Sequence, residues 1–224
     1  MRRCFFDPSY DEIFATKRRD PKSILKFITR MILGLTGGMG CGKSTAAKGF
    51  VDHGFRLVDS DVQIRELVLT APKVLTQLSG RYGESIFTAS GTLDRAALAA
   101  RVFAAESERL WLEQLTHPLL FGEWRRLLAS APAADWVFEV PLLFEQSLEN
   151  WFDFTVCVAC SPEQQLVRLE QRGLSRELAG QRISQQLPLA RKIELADKVM
   201  WNDGSAAFLQ VQIDSLVASL PGRS

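Results

Sequence analysis

Residues 37–44 read Gly-Gly-Met-Gly-Cys-Gly-Lys-Ser, a match to the spacing G-x-x-x-x-G-K-[ST] of a phosphate-binding loop. The apolar residues 31–36 before this loop predict a buried strand, and residues 43–53 predict a helix after it. Glycines let backbone N–H groups surround phosphate oxygens, and the helix adds the positive end of its dipole. The stretch therefore predicts an α/β fold that binds a nucleotide.

Two side chains of this phosphate loop have a predicted chemical role. Lys43 is expected to contact the β- and γ-phosphates, and Ser44 to offer its hydroxyl to Mg²⁺. A chance match in a glycine-rich turn is the alternative, and the strand before the loop and the helix after it disfavour that alternative. The predicted nucleotide-binding residues of the loop are Gly38, Met39, Gly40, Cys41, Gly42, Lys43, Ser44 and Thr45.

Strand and helix patterns alternate along the rest of the chain. Strands separated by helical stretches imply a parallel sheet with helices on both faces. We therefore predict a five-stranded parallel sheet of the P-loop NTPase type, flanked by helices, with a separate helical lobe inserted after the second strand. The further strands are predicted at residues 55–58, 136–140, 154–159 and 198–201, and the main helical stretches at residues 62–133 and 205–220.

Composition and charge limit the kinds of molecule that the chain is expected to bind. The chain has 224 residues with 27 basic and 26 acidic side chains, so it lacks the basic excess typical of proteins that bind nucleic acids. No apolar run reaches the roughly 18–20 residues that a membrane-spanning helix needs. We expect small-molecule partners, no nucleic acid and no membrane. A monomer is expected, and a weak oligomer is left open.

The first thirty residues differ in character from the rest of the chain. Residues 1–30 mix basic, acidic and aromatic side chains, contain Pro8 and Pro21, and have no apolar segment like that of a secretory signal. We interpret them as a loose extension or the product of an upstream start site. A transit or docking segment is the alternative, and the acidic residues in this stretch disfavour it.

Four cysteines give no disulfide framework. Cys157 and Cys160 have the spacing C-x-x-C, but residues three apart on a strand point to opposite faces of the sheet. We therefore predict buried core cysteines rather than a metal site. We also predict a reducing, cytoplasmic location.

Acidic residues stand at the ends of the predicted second and third strands. Asp59 and Asp61 lie where ligands bind in open parallel sheets, at the carboxyl end of a strand. A carboxylate there can accept a proton from an attacking hydroxyl, and it can also cap the next helix. We expect Asp59 to be the structural residue and Asp61 the catalytic one. Glu139 either assists a magnesium-bound water or caps the end of its strand.

Basic residues are concentrated late in the chain. Fixed cations aimed at a transferring phosphoryl group lower the barrier to its transfer. A solvated helix face explains most of this set, with Arg168 and Arg182 as the predicted exceptions. The set comprises Arg168, Arg172, Arg176, Arg182, Arg191 and Lys192.

Taken in order, these motifs resemble the dephospho-coenzyme A kinase family from about residue 32 to residue 204. The family's phosphate loop is similar to residues 35–45, with serine usual where Cys41 stands and a bulkier aliphatic residue where Met39 stands. The P-loop alone is shared by many families, whereas the ordered set is specific. The other matching segments are residues 58–61 with Arg65, residues 112–118, residues 141–145, residues 172–186 and residues 202–204.

The resemblance implies ATP-dependent phosphorylation of the ribose 3′-hydroxyl of dephospho-coenzyme A, with Mg²⁺, as the last step of coenzyme A biosynthesis. It implies a kinase domain over residues 31–224, with a substrate-binding lobe at about 62–133 and a lid at about 172–192. The implied catalytic residues are Lys43, Asp61 and Arg168. Arg182 would hold phosphates and Asn202 would lie near the adenine, both in the nucleotide-binding set. The implied substrate-binding residues are Thr36, Asp61, Arg65, His117, Pro141 and Leu142.

The chain also departs from the family pattern at the lid, and it does not contain the motifs that rival classes would need. The family usually has Arg-Asp-x-Leu-Ser at the lid, whereas Arg172 is followed directly by Gly-Leu-Ser. A nucleoside-monophosphate or shikimate-type kinase would share the P-loop and lid but not the ordered motifs. A GTP-dependent switch would need Asn-Lys-x-Asp, and a transporter ATPase would need Leu-Ser-Gly-Gly; the chain has neither. An inactive nucleotide-binding protein is disfavoured by Lys43, Ser44 and Asp61.

Overall fold

The computed structural model describes residues 30–221. The extension predicted for residues 1–30 therefore lies, except for its last residue, outside the described residues. The chain forms two compact units, one spanning Val58–Pro132 and the other containing residues 30–57 and 133–221. Within the part of the chain that the structure describes, no helix has the length and apolar character needed to cross a membrane.

The sheet has five strands in the order β2-β3-β1-β4-β5. β1 lies at the centre and runs parallel to β3 on one side and β4 on the other, and β4 runs parallel to β5. The predicted five-stranded parallel sheet flanked by helices is confirmed. The strands are β1 (Ile32–Gly37), β2 (Arg56–Asp59), β3 (Trp136–Glu139), β4 (Phe154–Ala159) and β5 (Lys198–Trp201).

Helices make up most of the rest of both units. In the unit with the sheet they are α1 (Lys43–Asp52), α6 (Pro162–Glu170), α7 (Arg176–Ser184), α8 (Leu189–Leu195) and α9 (Ala206–Ser219), with a 3₁₀ turn at Glu149–Trp151. In the unit Val58–Pro132 they are α2 (Ser60–Gln63), which continues into a π-helical turn (Ile64–Val68), α3 (Pro72–Tyr82), a 3₁₀ turn (Gly83–Ile86), α4 (Arg95–Ala104) and α5 (Glu106–Ser130).

Short polar side chains fix where several helices begin. α6 begins at Pro162, because the Ser161 hydroxyl accepts a hydrogen bond from the Gln164 N–H and Pro162 occupies the first turn. Serine or aspartate caps of the same kind satisfy backbone N–H groups that a helix leaves unpaired at its first turn. The other such caps are Asp59 for α2, Asp94 for α4, Ser175 for α7 and Ser205 for α9.

The core lies where β1 packs between its neighbours and the flanking helices. All six residues of β1 are buried. Gly34 is required in this strand, since a Cβ atom there would lie 2.5 Å from the Phe152 ring and 2.8 Å from Leu143. Apolar side chains of the sheet, α1 and α9 pack into one cluster that includes Leu33, Leu35, Ala46, Phe50, Val156, Val158, Leu209 and Ile213. This packing fixes β1, and with it the loop after β1.

Three aspartates accept hydrogen bonds from backbone N–H groups at the amino ends of β1 and β4. Because a strand's first N–H groups have no ladder partner, a carboxylate there satisfies them at the opposite end of the sheet from the phosphate loop. The pairs are Met31 with Asp135 (2.6 Å), Ile32 with Asp153 (2.9 Å) and Thr155 with Asp197 (2.7 Å).

We predict that Asp197→Ala lowers the free energy of unfolding by about 1–3 kcal/mol, because two donors of the buried Thr155 lose their acceptor. Both the N–H and the hydroxyl of Thr155 donate to Asp197, at 2.7 Å each. Urea denaturation measures the change. Asp52→Ala, at an exposed position of α1, is the control, and an equal loss in both variants would contradict the role assigned to Asp197.

Candidate phosphate-binding site

The loop between β1 and α1 takes a path that only glycine permits at two positions. Gly37 has φ 146°, and a Cβ atom there would lie 2.1 Å from the Val158 carbonyl oxygen. Gly42 has φ 93°, and a Cβ atom there would lie 2.2 Å from the Asn202 side-chain nitrogen. The backbone of the loop therefore lies directly against the end of β4 and the segment after β5, an approach that glycine permits because it has no Cβ atom.

Side chains hold the carbonyl groups of this loop. Each of the five successive carbonyls from Gly37 to Cys41 accepts at least one side-chain hydrogen bond. Because a peptide is planar and trans, fixing its carbonyl also fixes the direction of the N–H in the same unit. The donors are Lys43 to Gly37 (3.3 Å) and Gly38 (3.0 Å), Gln165 to Met39 (2.8 Å), Arg168 to Gly40 (3.5 Å) and Asn202 to Cys41 (2.9 Å). We call these donors the carbonyl brace.

Ser44 and Glu139 bring oxygen atoms together beside the loop. The Ser44 hydroxyl donates a hydrogen bond to the buried Glu139 carboxylate at 3.0 Å. Among residues 30–221, no group of three His, Cys, Asp or Glu side chains could hold a metal ion by itself. Mg²⁺ bound with a nucleotide takes only one or two protein oxygens and completes its coordination with phosphates and water. The donor chemistry of this pair therefore fits Mg²⁺.

Two of the late residues predicted for the nucleotide site lie at the loop, and the third does not contact it. The Arg168 guanidinium donates to the Asn202 carbonyl at 2.7 Å as well as to Gly40. Asn202 is buried, and its amide belongs to the carbonyl brace. Arg182 is exposed on α7, and its side chain makes no hydrogen bond within the described part of the chain.

Gln165 is the residue of the site that the sequence analysis missed. Its side chain is 4% exposed, and its amide donates to the Met39 carbonyl. Residues three apart share a helix face, so Gln165 and Arg168 both project from α6 toward the loop. The three-residue spacing between Gln165 and Arg168 is a signal in the sequence that could have identified Gln165 once Arg168 was predicted to act at the site.

A buried ion pair supports the segment after β3. The Lys192 side chain is 0% exposed, and its ammonium donates to Glu145 at 2.8 Å and to the Pro141 carbonyl at 2.7 Å. The Thr36 hydroxyl donates to the same carbonyl at 3.2 Å. The interpretation of Lys192 as part of a solvated helix face was therefore wrong, because its charge is enclosed with a carboxylate. The same contact gives Glu145 a structural role, as the carboxylate partner of Lys192.

The unit Val58–Pro132 contains the remaining predicted residues. Asp59 caps α2 by accepting from the Val62 N–H at 3.0 Å, and Asp61 is exposed in the first turn of that helix. The Arg65 carbonyl accepts a hydrogen bond from Arg95 at 3.0 Å. His117 lies in α5 with its ring 5.2 Å from that of Phe121, and burial lowers the pKa of this imidazole.

Comparison with known proteins agrees with the motifs. A family model described as dephospho-CoA kinase matches residues 31–207. The dephospho-CoA kinase of Thermosynechococcus vestitus is 44% identical over 194 residues, which cover 85% of this chain and 95% of that relative. A Thermus thermophilus crystal structure, TT1252, superposes with a TM-score of 0.77 at 31% identity, covering 86% of this chain and 99% of that one. The Campylobacter jejuni dephospho-CoA kinase has the same fold, with a TM-score of 0.62 at 23% identity over 86% and 98% of the chains.

We predict that Gln165→Met weakens nucleotide affinity roughly 10-fold, because the Met39 carbonyl loses a hydrogen bond of about 1.4 kcal/mol while the side-chain volume is kept. Equilibrium titration with Mg-ATP measures the effect. Gln164→Met is the matched control, since Gln164 is half-buried and its side chain makes no hydrogen bond with the described residues. If both variants bind Mg-ATP like the unmodified protein, Gln165 does not hold the loop.

We predict that Lys192→Met lowers the free energy of unfolding by about 3–5 kcal/mol, because it leaves the Glu145 carboxylate without its buried partner. The double variant Lys192→Met/Glu145→Gln should recover most of the loss. Arg191→Met, at an exposed position beside it, should stay within about 0.5 kcal/mol of the unmodified protein. Thermal and urea unfolding measure all three, and a double variant no more stable than Lys192→Met would contradict the charge argument.

Proposed function

The chain belongs to the dephospho-CoA kinase family, and we propose that it holds ATP on the phosphate loop of residues 37–44. The enzyme transfers the γ-phosphoryl group of ATP to the ribose 3′-hydroxyl of dephospho-CoA, which gives CoA and ADP in the last step of CoA biosynthesis. What is proposed here is the set of residues that performs this reaction. The observation that supports it best is the carbonyl brace, which holds every carbonyl of the loop from Gly37 to Cys41.

The loop binds phosphate through its backbone and through Lys43. The N-terminus of α1 begins at Lys43 directly after Gly42, so its unpaired N–H groups and positive dipole end favour an anion at that point. The Lys43 ammonium, which donates to the carbonyls of Gly37 and Gly38, lies beside the same backbone. It supplies the positive charge that offsets the γ-phosphate charge during transfer.

Ser44 and Glu139 are the residues that would hold the magnesium ion of Mg-ATP. The Ser44 hydroxyl would be a ligand of the ion, and Glu139, which accepts a hydrogen bond from that hydroxyl, would orient it. When bound, Mg²⁺ neutralises part of the negative charge on the β- and γ-phosphates. Of the two alternatives for Glu139, its 3.0 Å contact with the hydroxyl favours the role at the metal.

Asp61 is the base for the acceptor. Its carboxylate takes the proton from the 3′-hydroxyl as that oxygen attacks the γ-phosphorus, and the bond from the γ-phosphorus to the bridging oxygen of ADP breaks. Asp61 lies two residues beyond the carboxyl end of β2 and is exposed, whereas Asp59 is engaged as the cap of α2. This difference supports the division of roles between the two aspartates.

The remaining roles rest on the family's motifs. Arg168 and Arg182 hold phosphates as the lid of about residues 172–192 closes, and Asn202 lies near the adenine. The acceptor contacts Thr36, Arg65, His117, Pro141 and Leu142, with the helical lobe of about residues 62–133 as its binding lobe. Synthesis of CoA from ATP and dephospho-CoA, both metabolites of the cell interior, supports a cytoplasmic location.

We predict that Asp61→Asn lowers kcat by about 10²–10⁴-fold while Mg-ATP affinity stays unchanged, because only the proton acceptor is removed. A coupled assay of ADP release with dephospho-CoA measures turnover, and titration with Mg-ATP measures binding. Asp59→Asn is the matched control, since asparagine caps a helix about as well as aspartate, and it should retain turnover.

The two aspartate variants distinguish the roles. Turnover near that of the unmodified protein in Asp61→Asn would contradict the base assignment. A loss in Asp59→Asn instead would move the catalytic role to Asp59. Activity with shikimate or AMP in place of dephospho-CoA would contradict the acceptor.

A further inference from the structure

Two thiols are in contact at the phosphate loop. Cys41 lies in the loop, and Cys160 lies just after the end of β4, 119 residues later in the chain. Their sulfur atoms are 3.4 Å apart, with the Cys160 thiol donating to Cys41. Both side chains are buried and free, as is Cys157 within β4. The two thiol groups have no part in the phosphoryl transfer described above, where Cys41 acts only through its backbone.

The surroundings give the two thiols different reactivity. The hydrogen bond from Cys160 and the positive charge of Lys43 lower the pKa of the Cys41 thiol, although burial opposes them. The pKa of Cys160 is raised, because it is the donor of that hydrogen bond and is buried. Burial also raises the pKa of Cys157, to about 12. Since the thiolate is the reactive form, Cys41 is the nucleophile and Cys160 the resolving thiol.

We propose that Cys41 and Cys160 are a site of reversible oxidation by hydrogen peroxide, and that their disulfide switches off nucleotide binding. Hydrogen peroxide is small and neutral, so it suits a pair enclosed beside the loop. The inference rests on the proposed function of residues 37–44 for its effect on ATP, but formation of the disulfide does not depend on that function.

The chemistry proceeds in two balanced steps. The Cys41 thiolate attacks one oxygen of the peroxide, the O–O bond breaks, and with one proton taken up the products are Cys41 sulfenic acid and water. The Cys160 sulfur then attacks the sulfenic sulfur, the S–O bond breaks, and the thiol proton leaves with the hydroxide as a second water. The two thiols together lose two electrons to the peroxide. A dithiol reductant reverses the oxidation by thiol–disulfide exchange.

The disulfide bond between Cys41 and Cys160 should displace the phosphate loop. A disulfide holds its sulfurs about 2.05 Å apart, so the 3.4 Å separation must shrink by more than about 1 Å. The Cys41 carbonyl belongs to the carbonyl brace, and the N–H groups of the loop move with it. Displacement of about 1 Å can reduce catalysis by about 10²-fold, so the oxidised enzyme should lose most of its activity.

The experiment treats the full-length protein with hydrogen peroxide and measures three quantities. Intact mass and peptide mapping report the loss of two hydrogens and the linkage, Mg-ATP titration reports binding, and the ADP-release assay reports turnover. Three variants are compared in a Cys4→Ser background. Cys157→Ala keeps the pair and Cys160→Ala breaks it, with Cys160→Ser as a near-isosteric second variant, and each is measured against its own reduced form.

We expect a Cys41–Cys160 linkage in the unmodified protein and in Cys157→Ala, with Mg-ATP affinity and turnover at least 10-fold lower and restored by dithiothreitol. The Cys160 variants should form no such linkage and show no reversible loss. Absence of the linkage, or equal reversible loss in the Cys160 variants, would overturn the proposal. A linkage that leaves Mg-ATP affinity unchanged would overturn the proposal that the disulfide switches off nucleotide binding. If the reduced protein itself fails to bind Mg-ATP, the proposed function fails. Formation of the disulfide is tested separately, by mass alone.

Discussion

The site depends on a constraint that the backbone sets: a loop whose N–H groups bind phosphate must have its carbonyl groups held elsewhere. A peptide unit carries both groups in one rigid plane, so a carbonyl left to rotate would bring its negative end toward the phosphate. In this chain the constraint is met by side chains, since Lys43, Gln165, Arg168 and Asn202 donate to the loop carbonyls. Gln165 and Asn202 are buried, so packing holds the amides of these two donors in place.

The order of the strands explains why these donors converge. β1 is central, so the carboxyl ends of its neighbours β3 and β4 lie on either side of the phosphate loop, and β5 lies next to β4. Ligands bind at this edge of open α/β sheets. Glu139 comes from the end of β3, Cys160 comes directly after β4, and Asn202 directly after β5. Each of these three strands thus supplies a contact to the loop, and the packed core under β1 keeps their ends in register.

The sequence predicted the strands well where the hydrophobic pattern agreed with the residues that bound it. β4 and β5 begin and end where predicted, and β1 lies one residue later than its apolar run suggested. Side-chain partners far apart in the chain could not be predicted in the same way. Lys192 was assigned to a solvated helix face together with most of the late basic residues, whereas its burial depends on Glu145 and Pro141 in another segment. Cys160 was predicted to be a buried core residue and Cys41 a residue of the phosphate loop. Their contact could not be predicted, because it arises only from the packing of β4 against the loop.

Arg168 holds the loop, and its geometry is compatible with the role in the reaction proposed for it above. A guanidinium has five N–H donors in a fixed plane. Its two hydrogen bonds in the described part of the chain go to the carbonyls of Gly40, at a long 3.5 Å, and Asn202, at 2.7 Å. The stronger of these ties it to the segment after β5, so its position does not depend on the nucleotide. Donors remain for a phosphate oxygen, and because the group is already oriented, less entropy is lost when it binds one. A lysine at this position would have three donors on a flexible stem and could not serve both purposes in one plane, which is why the chemistry favours arginine here.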